Sequence, residues 1–551
     1  MASRRAWSWG AAFLLGALLW LVAYPIILSG FEGFTGPEGA TLAYAREFFA
    51  RPNEWQALWG SLWISVATVI VSALVGVPLA FLFGRTEFPG RKILGALVGL
   101  PVALPPLVGV LAFLFLYGES GFAAHFVKWI TRSETAPWRL QGAGAILLVH
   151  AYSMYVYFYL LVRAALERMD GAALEAAASL GASRWQVFRR VTLPMLRPSL
   201  LGAALLTFTT SLASFSAPYI FGGGFRVMTT QVLATRLNGD TQVAMVETIA
   251  LTLIALVALG LMGAVGDGDA RGGSKGTAPV RHLATGKGRL FSMIGGWTLA
   301  VLLLLPHATL LLLSFVPVGT WTTEVLPPAY TVSNYVELVG SAERLRPLVN
   351  SLWMATLATV ASLVIAVWAG HLVVRRQVGV RKWIETLLVA PWAVPGTVFA
   401  LALATAFSVH QPWALRVILV GSLWILPLAY LIRNLPVASR PILAGFRQLD
   451  PSLEEAAAGL GAARGTILRR VTLPLLAPAL AAAGALAFVT ALGDFVTSVL
   501  LYTYDTRPLS LEILSSLRSG DVGVASVYGV LLMAASATVF LVGSRTGDTA
   551  R

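Results

Sequence analysis

The chain has 551 residues, of which 57% are hydrophobic and only 12% charged, against roughly 25% charged in a soluble domain. Its apolar residues gather in runs of about 20, the length that crosses a hydrocarbon core, which excludes a soluble protein built on one large core. Cysteine is absent, so disulfides, thiolate metal sites and Cys nucleophiles are excluded, and the net charge of +14 fits the basic cytoplasmic loops of a membrane protein better than nucleic-acid binding.

Taken in order, the apolar runs predict about twelve spans: 8–29, 58–83, 94–116, 143–163, 199–220, 244–265, 290–315, 348–373, 383–406, 415–432, 479–501 and 524–543. The fold class is therefore all-α polytopic. The first run follows Arg4 and Arg5, where a cleaved signal peptide is the competing reading. Its length and the lack of a small-residue cleavage site favour a retained helix. With the N-terminus in the cytoplasm, 28 of the 40 basic residues fall on the cytoplasmic side: those of both termini and of the segments 84–93, 163–198, 266–289, 374–382 and 433–478. That asymmetry predicts cytoplasmic N- and C-termini.

The chain says one phrase twice. EAAASLGASRWQVFRRVTLPMLRP at 175–198 is repeated as EAAAGLGAARGTILRRVTLPLLAP at 455–478. Glu175, Gly181, Pro194 and Pro198 align with Glu455, Gly461, Pro474 and Pro478, all at one offset in numbering (455 − 175). Upstream, SLWISVATV at 61–69 aligns with SLWMATLAT at 351–359, and LPVALPPLVGVLAF at 100–113 with APWAVPGTVFALAL at 390–403, both at a second, slightly larger offset (351 − 61). Six spans per repeat is an even number, so the two repeats run parallel, with a two-fold axis along the membrane normal and a pathway between them. The expected organisation is a first half at 1–265, a Gly-rich basic linker at 266–289 and a second half at 290–551.

Within each repeated phrase the local chemistry predicts two short helices. Asp170 caps the first, Gly181 ends it in a left-handed conformation, and Ser183 with Gln186 forms a capping box for the next. Pro194 and Pro198 are expected to bend the chain into the following span. In the second copy Asp450 is the cap, Pro451 takes the first helical position, Ser452 with Glu455 is read as a capping box, and Gly461 is the stop. A lone alanine-rich connector would be an ordinary hairpin, but two matching copies are hard to assign to chance.

The phrase EAA---G---------LP resembles the EAA loop of permease subunits of binding-protein-dependent ABC importers, and the resemblance covers nearly the whole chain. Two six-helix halves in one polypeptide look like the iron(III)/thiamine type, close to polyamine and sulfate permeases. The resemblance implies that the first helix of each loop couples to an ATP-binding subunit, through Glu175, Ala176, Ala177 and Gly181 and through Glu455, Ala456, Ala457 and Gly461. It also implies two copies of a cytoplasmic ATP-binding subunit, an extracytoplasmic solute-binding protein, and an inner-membrane location. The second loop departs at Ala463 and Gly465, where the first has Ser183 and Trp185, so the two docking sites need not be equivalent. No G-x-x-x-x-G-K-[ST] occurs, and Gly286-Lys287-Gly288 fails on both flanks. ATP and Mg are thus expected on partner subunits, with no cofactor and no catalytic residue on this chain.

Ionisable residues within spans are pathway candidates because their burial is expensive. Asp494 is foremost, and its counterpart in the first half, at the offset of the repeated phrase, is Ser214. Ser211, Thr490 and Thr497 add hydroxyls on the same two spans, with Thr207, Thr209 and Thr210 nearby. The structural alternative is that Asp494 caps or pairs locally while the hydroxyls bond back to helix carbonyls. His150, Tyr152 and Tyr155 are of types that bind iron, but interhelical hydrogen bonding or an aromatic belt is the expected role. Pro101, Pro105, Pro391 and Pro395 recur in corresponding spans as hinges or static kinks.

Two other classes compete. Twelve spans in two parallel halves also describe gradient-driven secondary carriers, and FGRTEFPGRK at 83–92 faintly resembles a basic loop of the major facilitator family without its Asp-Arg pair. A membrane enzyme lacks a clustered catalytic constellation. The expected cargo is iron(III), with thiamine, polyamine or sulfate as alternatives.

Overall fold

The computed structural model describes residues 2–99, 101, 105–269, 282–283, 286–321 and 324–548. Most of the proposed linker, 270–281 with 284–285, lies outside the described residues; the flanking helices end at Asp269 and begin at Gly286, inside the 266–289 window. Among the described residues ten helices are long and apolar enough to cross a membrane: Trp9–Glu32, Pro52–Arg85, Pro106–Thr131, Gly142–Arg168, Arg184–Leu212, Thr241–Ala258, Gly288–Leu313, Ala342–Arg375, Arg464–Leu492 and Val522–Val539. An eleventh is split into Arg381–Ala393 and Gly396–Phe407, bent by 110°.

The span expected at 415–432 is not there. Leu415 and Arg416 are left-handed, and the segment folds back so that the Leu419 N–H reaches the Phe407 carbonyl at 3.0 Å. The helix begins at Ile425 and runs to Gln448, the counterpart of Gly142–Arg168 in the first repeat. An unbroken apolar run conceals the turn, and Arg433, Arg440 and Arg447, read from the sequence as loop charges, lie on this helix. The prolines also divide into two kinds. Pro395 is the N-cap at the 110° break, and Pro105 is the N-cap of the matching Pro106–Tyr117 helix. Pro194 and Pro198 do not bend the chain as expected: Arg184–Leu212 is continuous, with a π turn at Phe188–Thr192 that re-phases the backbone, repeated at Leu468–Thr472.

The repeats share buried hydrogen bonds. Ser61 Oγ accepts the Met228 N–H and Ser351 Oγ accepts the Leu509 N–H, both at 2.7 Å, tying each long span to the start of a short helix. Small residues allow close helix contact, the chief source of packing energy where lipid is as apolar as the core. A Cβ on Gly76 would overlap the Tyr155 carbonyl oxygen, so the Pro52–Arg85 and Gly142–Arg168 helices touch backbone to backbone.

Each half lends its leading helix to the other. The Tyr24–Glu32 part of the first span packs on Gly396–Phe407, and Gly286–Leu313 packs on Pro106–Tyr117. Trp20 meets Phe407 edge-on at 5.4 Å and donates to the Trp413 carbonyl at 3.0 Å. Tyr152 Oη donates to the Leu303 carbonyl at 2.8 Å.

One charge has moved between repeats. Arg51 bridges Glu47 and Asp240, the latter at 2.9 Å. The matching position in the second half is Ser341, and there Arg344 reaches Glu337 at 3.2 Å and Asp521 at 3.8 Å. Each clamp joins a short helix to the start of a span, Arg51 from the extended residue ahead of Pro52–Arg85 and Arg344 from the first turn of Ala342–Gly370.

Candidate functional site: paired loops and a central constriction

Parallel repeats put both Glu-Ala-Ala loops at one end of the bundle. Asp170 Oδ1 accepts the Ala172 N–H at 3.0 Å and starts the Gly171–Ser179 helix. Asp450 Oδ1 accepts the Ser452 N–H at 2.9 Å and starts Pro451–Gly459, and this bond holds the Asp450 carboxyl below its ordinary range. Both helices end in the same way. Gly181 and Gly461 sit at φ +80° and +83°, their N–H groups reach Ala178 and Ala458, and the next residues, Ala182 and Ala462, bond Ala177 and Ala457. These are Schellman closures, in which a residue without Cβ enters the left-handed region cheaply.

The closures expose Leu180 and Leu460, 88% and 90% accessible. Glu175, Ala176, Glu455 and Ala456 are exposed, while Ala177 and Ala457 are half-buried. Neither Glu175 nor Glu455 has a hydrogen-bond or ion-pair partner among the described residues. The arrangement is a pair of small-residue ledges, each with a free carboxylate and a protruding leucine.

The ledges are not identical. Ser183 and Gln186 form the expected capping box, at 3.3 and 2.8 Å; Ala463 offers no side-chain cap. Trp185 stacks on Phe188 at 5.5 Å, and Gly465 leaves that place empty. The capping box expected of Ser452 and Glu455 does not form, because Asp450 is the N-cap and Ser452 already lies inside the helix. Glu454 has an anchoring role that sequence reasoning misses. It accepts Thr472 Oγ1–H at 2.8 Å and pairs with Arg375 at 3.2 Å, while Arg375 also donates to the Leu449 carbonyl at 3.0 Å. In the first half Leu174 replaces Glu454, and Arg85, the counterpart of Arg375, donates to Met169 Sδ.

At mid-bundle the two halves meet where two spans break. Leu193–Leu212 gives way to Ser216–Phe221, and Leu473–Leu492 to Val496–Leu501. Phe215 and Phe495 are buried between the breaks with ring centroids 5.8 Å apart, and Tyr219 stacks on Phe215 at 5.1 Å. Arg518 donates to Tyr219 Oη.

Asp494 precedes that phenylalanine and its side chain is 5% exposed. It accepts the Thr497 N–H at 2.8 Å and Thr497 Oγ1–H at 2.9 Å, and faces Arg433 Nε at 3.2 Å. The local capping alternative therefore describes its contacts. Ser214, its counterpart, contacts His150 Nε2 at 2.9 Å; Ser211 and Thr68 contact His150 Nδ1 at 3.2 and 3.0 Å. Tyr430 stands at the matching position in the second half and bonds Ser498 at 2.6 Å. His150 is thus the hub of an interhelical network, and Tyr155 donates to the Val98 carbonyl. Thr490, Thr209 and Thr210 bond back to their own helices. Arg433, the residue that neutralises Asp494, escapes the sequence reading; the seven-residue periodicity of Arg433, Arg440 and Arg447 is the available signal.

Two parallel membrane repeats that meet at an aromatic pair, with matched ledges at one end, define a multi-pass membrane protein built by duplication. The chain belongs to the family of binding-protein-dependent transport system inner membrane components, which matches residues 76–268 and 343–545; it is an ABC transporter permease of the fused two-half type. It is 32% identical over 498 residues to the probable ABC transporter permease protein y4fN of Sinorhizobium fredii, covering 89% of this chain and 87% of that one. It is 28% identical over 557 residues to the ferric transport system permease protein FbpB of Actinobacillus pleuropneumoniae, covering 97% and 78%. The sulfate transport system permease protein CysW of Escherichia coli matches at 29% over 259 residues, 46% of this chain and 86% of that one.

Proposed function

We propose that this permease imports its cargo by alternating access, driven by two copies of a separate cytoplasmic ATP-binding subunit that dock on the two Glu-Ala-Ala ledges. Binding of ATP and Mg by those subunits draws the ledges together, the halves rock about the Phe215–Phe495 contact, and a solute-binding protein delivers cargo from the outside. Both chain termini face the cytoplasm, and the halves divide at 266–289. The observation that carries this reading is the repeated ledge: identical helix closures presenting Glu175 with Leu180 and Glu455 with Leu460, in a chain without a P-loop. Cargo is proposed to be iron(III), supported by similarity to ferric permeases. Thiamine, polyamine and sulfate are the alternatives.

Purification of the tagged chain in mild detergent tests the reading. Recovery of an ATP-binding subunit, with ATPase activity that disappears when both ledges are altered, supports it. Recovery of the chain alone, without ATPase activity even after crosslinking at 175–181 and 455–461, overturns docking of the ATP-binding subunit on these two ledges.

A further inference from the structure

Arg433, Arg440 and Arg447 stand seven residues apart on the Ile425–Gln448 helix. Seven residues are nearly two full turns, so the three side chains leave the helix on one stripe. The helix ends at the second Glu-Ala-Ala loop, so the stripe descends from the central constriction toward that loop. The matching residues of the first half are Ser153, Leu160 and Glu167. The stripe belongs to the second half alone.

Two of the three charges are compensated: Arg433 by Asp494 at 3.2 Å, Arg447 by Glu385 at 2.8 Å. Arg440 has no carboxylate partner among the described residues. Its guanidinium lies 4.7 Å from the ring centroid of Trp392, itself half exposed. Trp392 is in the last turn before the 110° break. Across that break a Cβ on Gly396 would overlap Arg433 Nη1. The break, the Arg433–Asp494 pair and Phe495 therefore form one continuous patch, and Arg440 stands about 10 Å from it, two helical turns toward the loop. An uncompensated guanidinium is expensive beside lipid unless it meets water or an anion.

We propose that Arg440, backed by Trp392, receives an anion on the inner part of the substrate path, so that the cargo crosses with net negative charge. This rests on the permease reading and narrows its cargo. Iron(III) would pass as a complex whose ligands outweigh its charge, and a polyamine would be repelled. A lipid phosphate offers the same chemistry, and the test separates the two.

The chain has no cysteine, so Ala444→Cys places a single thiol one turn inward of Arg440, at an exposed position. With the full chain in nanodiscs, the rate with an anionic sulfonatoethyl thiosulfonate relative to a cationic trimethylammonioethyl reagent, normalised to the same ratio for a free small thiol, is expected to be about ten-fold, since a unit charge about 6 Å away in water-like surroundings attracts one and repels the other. Arg440→Lys keeps the preference, and Arg440→Gln brings the ratio to about one. A normalised ratio of about one with Arg440 intact overturns the proposal. So does a thiol unreactive to both reagents in nanodiscs yet reactive in detergent, or a preference that tracks phosphatidylglycerol content; each places Arg440 against lipid. The labelling does not involve an ATP-binding subunit, so failure of this inference is distinguishable from failure of the importer reading.

Discussion

Phe215 and Phe495 occupy equivalent positions of the two repeats and face each other with ring centroids 5.8 Å apart. Equivalent positions of two parallel repeats come into contact only at the axis relating them, so this pair marks the pseudo-two-fold. Each follows the polar residue at a helix break, Ser214 or Asp494, so the same backbone interruption that presents a polar group also presents the ring at the contact between the halves.

Replacing both rings should open the constriction. Phe215→Ala with Phe495→Ala is expected to raise passive flux of small solutes through proteoliposomes well above the parent, and to leave ATPase activity uncoupled from uptake. Both rings are buried, so each truncation costs about 3–5 kcal/mol in lost burial and cavity formation; Phe215→Leu with Phe495→Leu, which keeps most of the volume, separates an opened contact from a destabilised fold. Unchanged leak would remove the pair from the gate.

Asp494→Asn tests whether the central ion pair is structural. Asn can still accept the Thr497 N–H, but Arg433 loses its counter-charge. Breaking a buried pair costs about 3–5 kcal/mol, and the low end applies because the Arg433 side chain is 27% exposed. Thermal stability and uptake should both fall while the ATP-binding subunit is still recruited. Arg433→Gln added to Asp494→Asn should recover most of the stability; no recovery would mean that Arg433 contributes through packing alone.

Gly181 and Gly461 have open space around them, with nothing within 4 Å of an added Cβ. Substitution there is therefore a backbone test, not a steric one. Gly461→Val should cost about 1–2 kcal/mol of local strain and unravel the ledge, abolishing ATPase recruitment without affecting membrane insertion. Gly461→Asn, which tolerates the left-handed region, should retain much of it. Equal loss for Val and Asn would point to the added side chain instead.

The anchored ledge and the unanchored one should differ in motion. Hydrogen exchange is expected to be faster over 171–179 than over 451–459, because Glu454 ties the second ledge to Arg375 and Thr472. Glu454→Leu should erase the difference, and Leu174→Glu, which offers Arg85 a carboxylate, should slow the first ledge. Matching exchange in the unaltered protein would show that the pair adds no rigidity.

The two ledges are legible in the sequence almost completely. Caps at Asp170 and Asp450 and left-handed stops at Gly181 and Gly461 depend on contacts within a few residues, where local chemistry decides conformation. The capping box read for Ser452 and Glu455 is wrong because the Asp450 cap, read correctly, already places Ser452 inside the helix. The span at 415–432 fails for a related reason: hydropathy records a residue's preference for lipid but not the turn at Leu415 and Arg416.

The sequence by itself determined the membrane class, the duplication with its two constant offsets, and the ledges, because each is written in composition, periodicity or short-range hydrogen bonding. Tertiary structure alone decided that Arg433 neutralises Asp494, that His150 gathers Thr68, Ser211 and Ser214, that each half's leading helix packs on the other half, and that Phe215 meets Phe495. Those partners are far apart along the chain, and their pairing depends on how helices cross and where two of them break. No local pattern in the chain encodes that geometry.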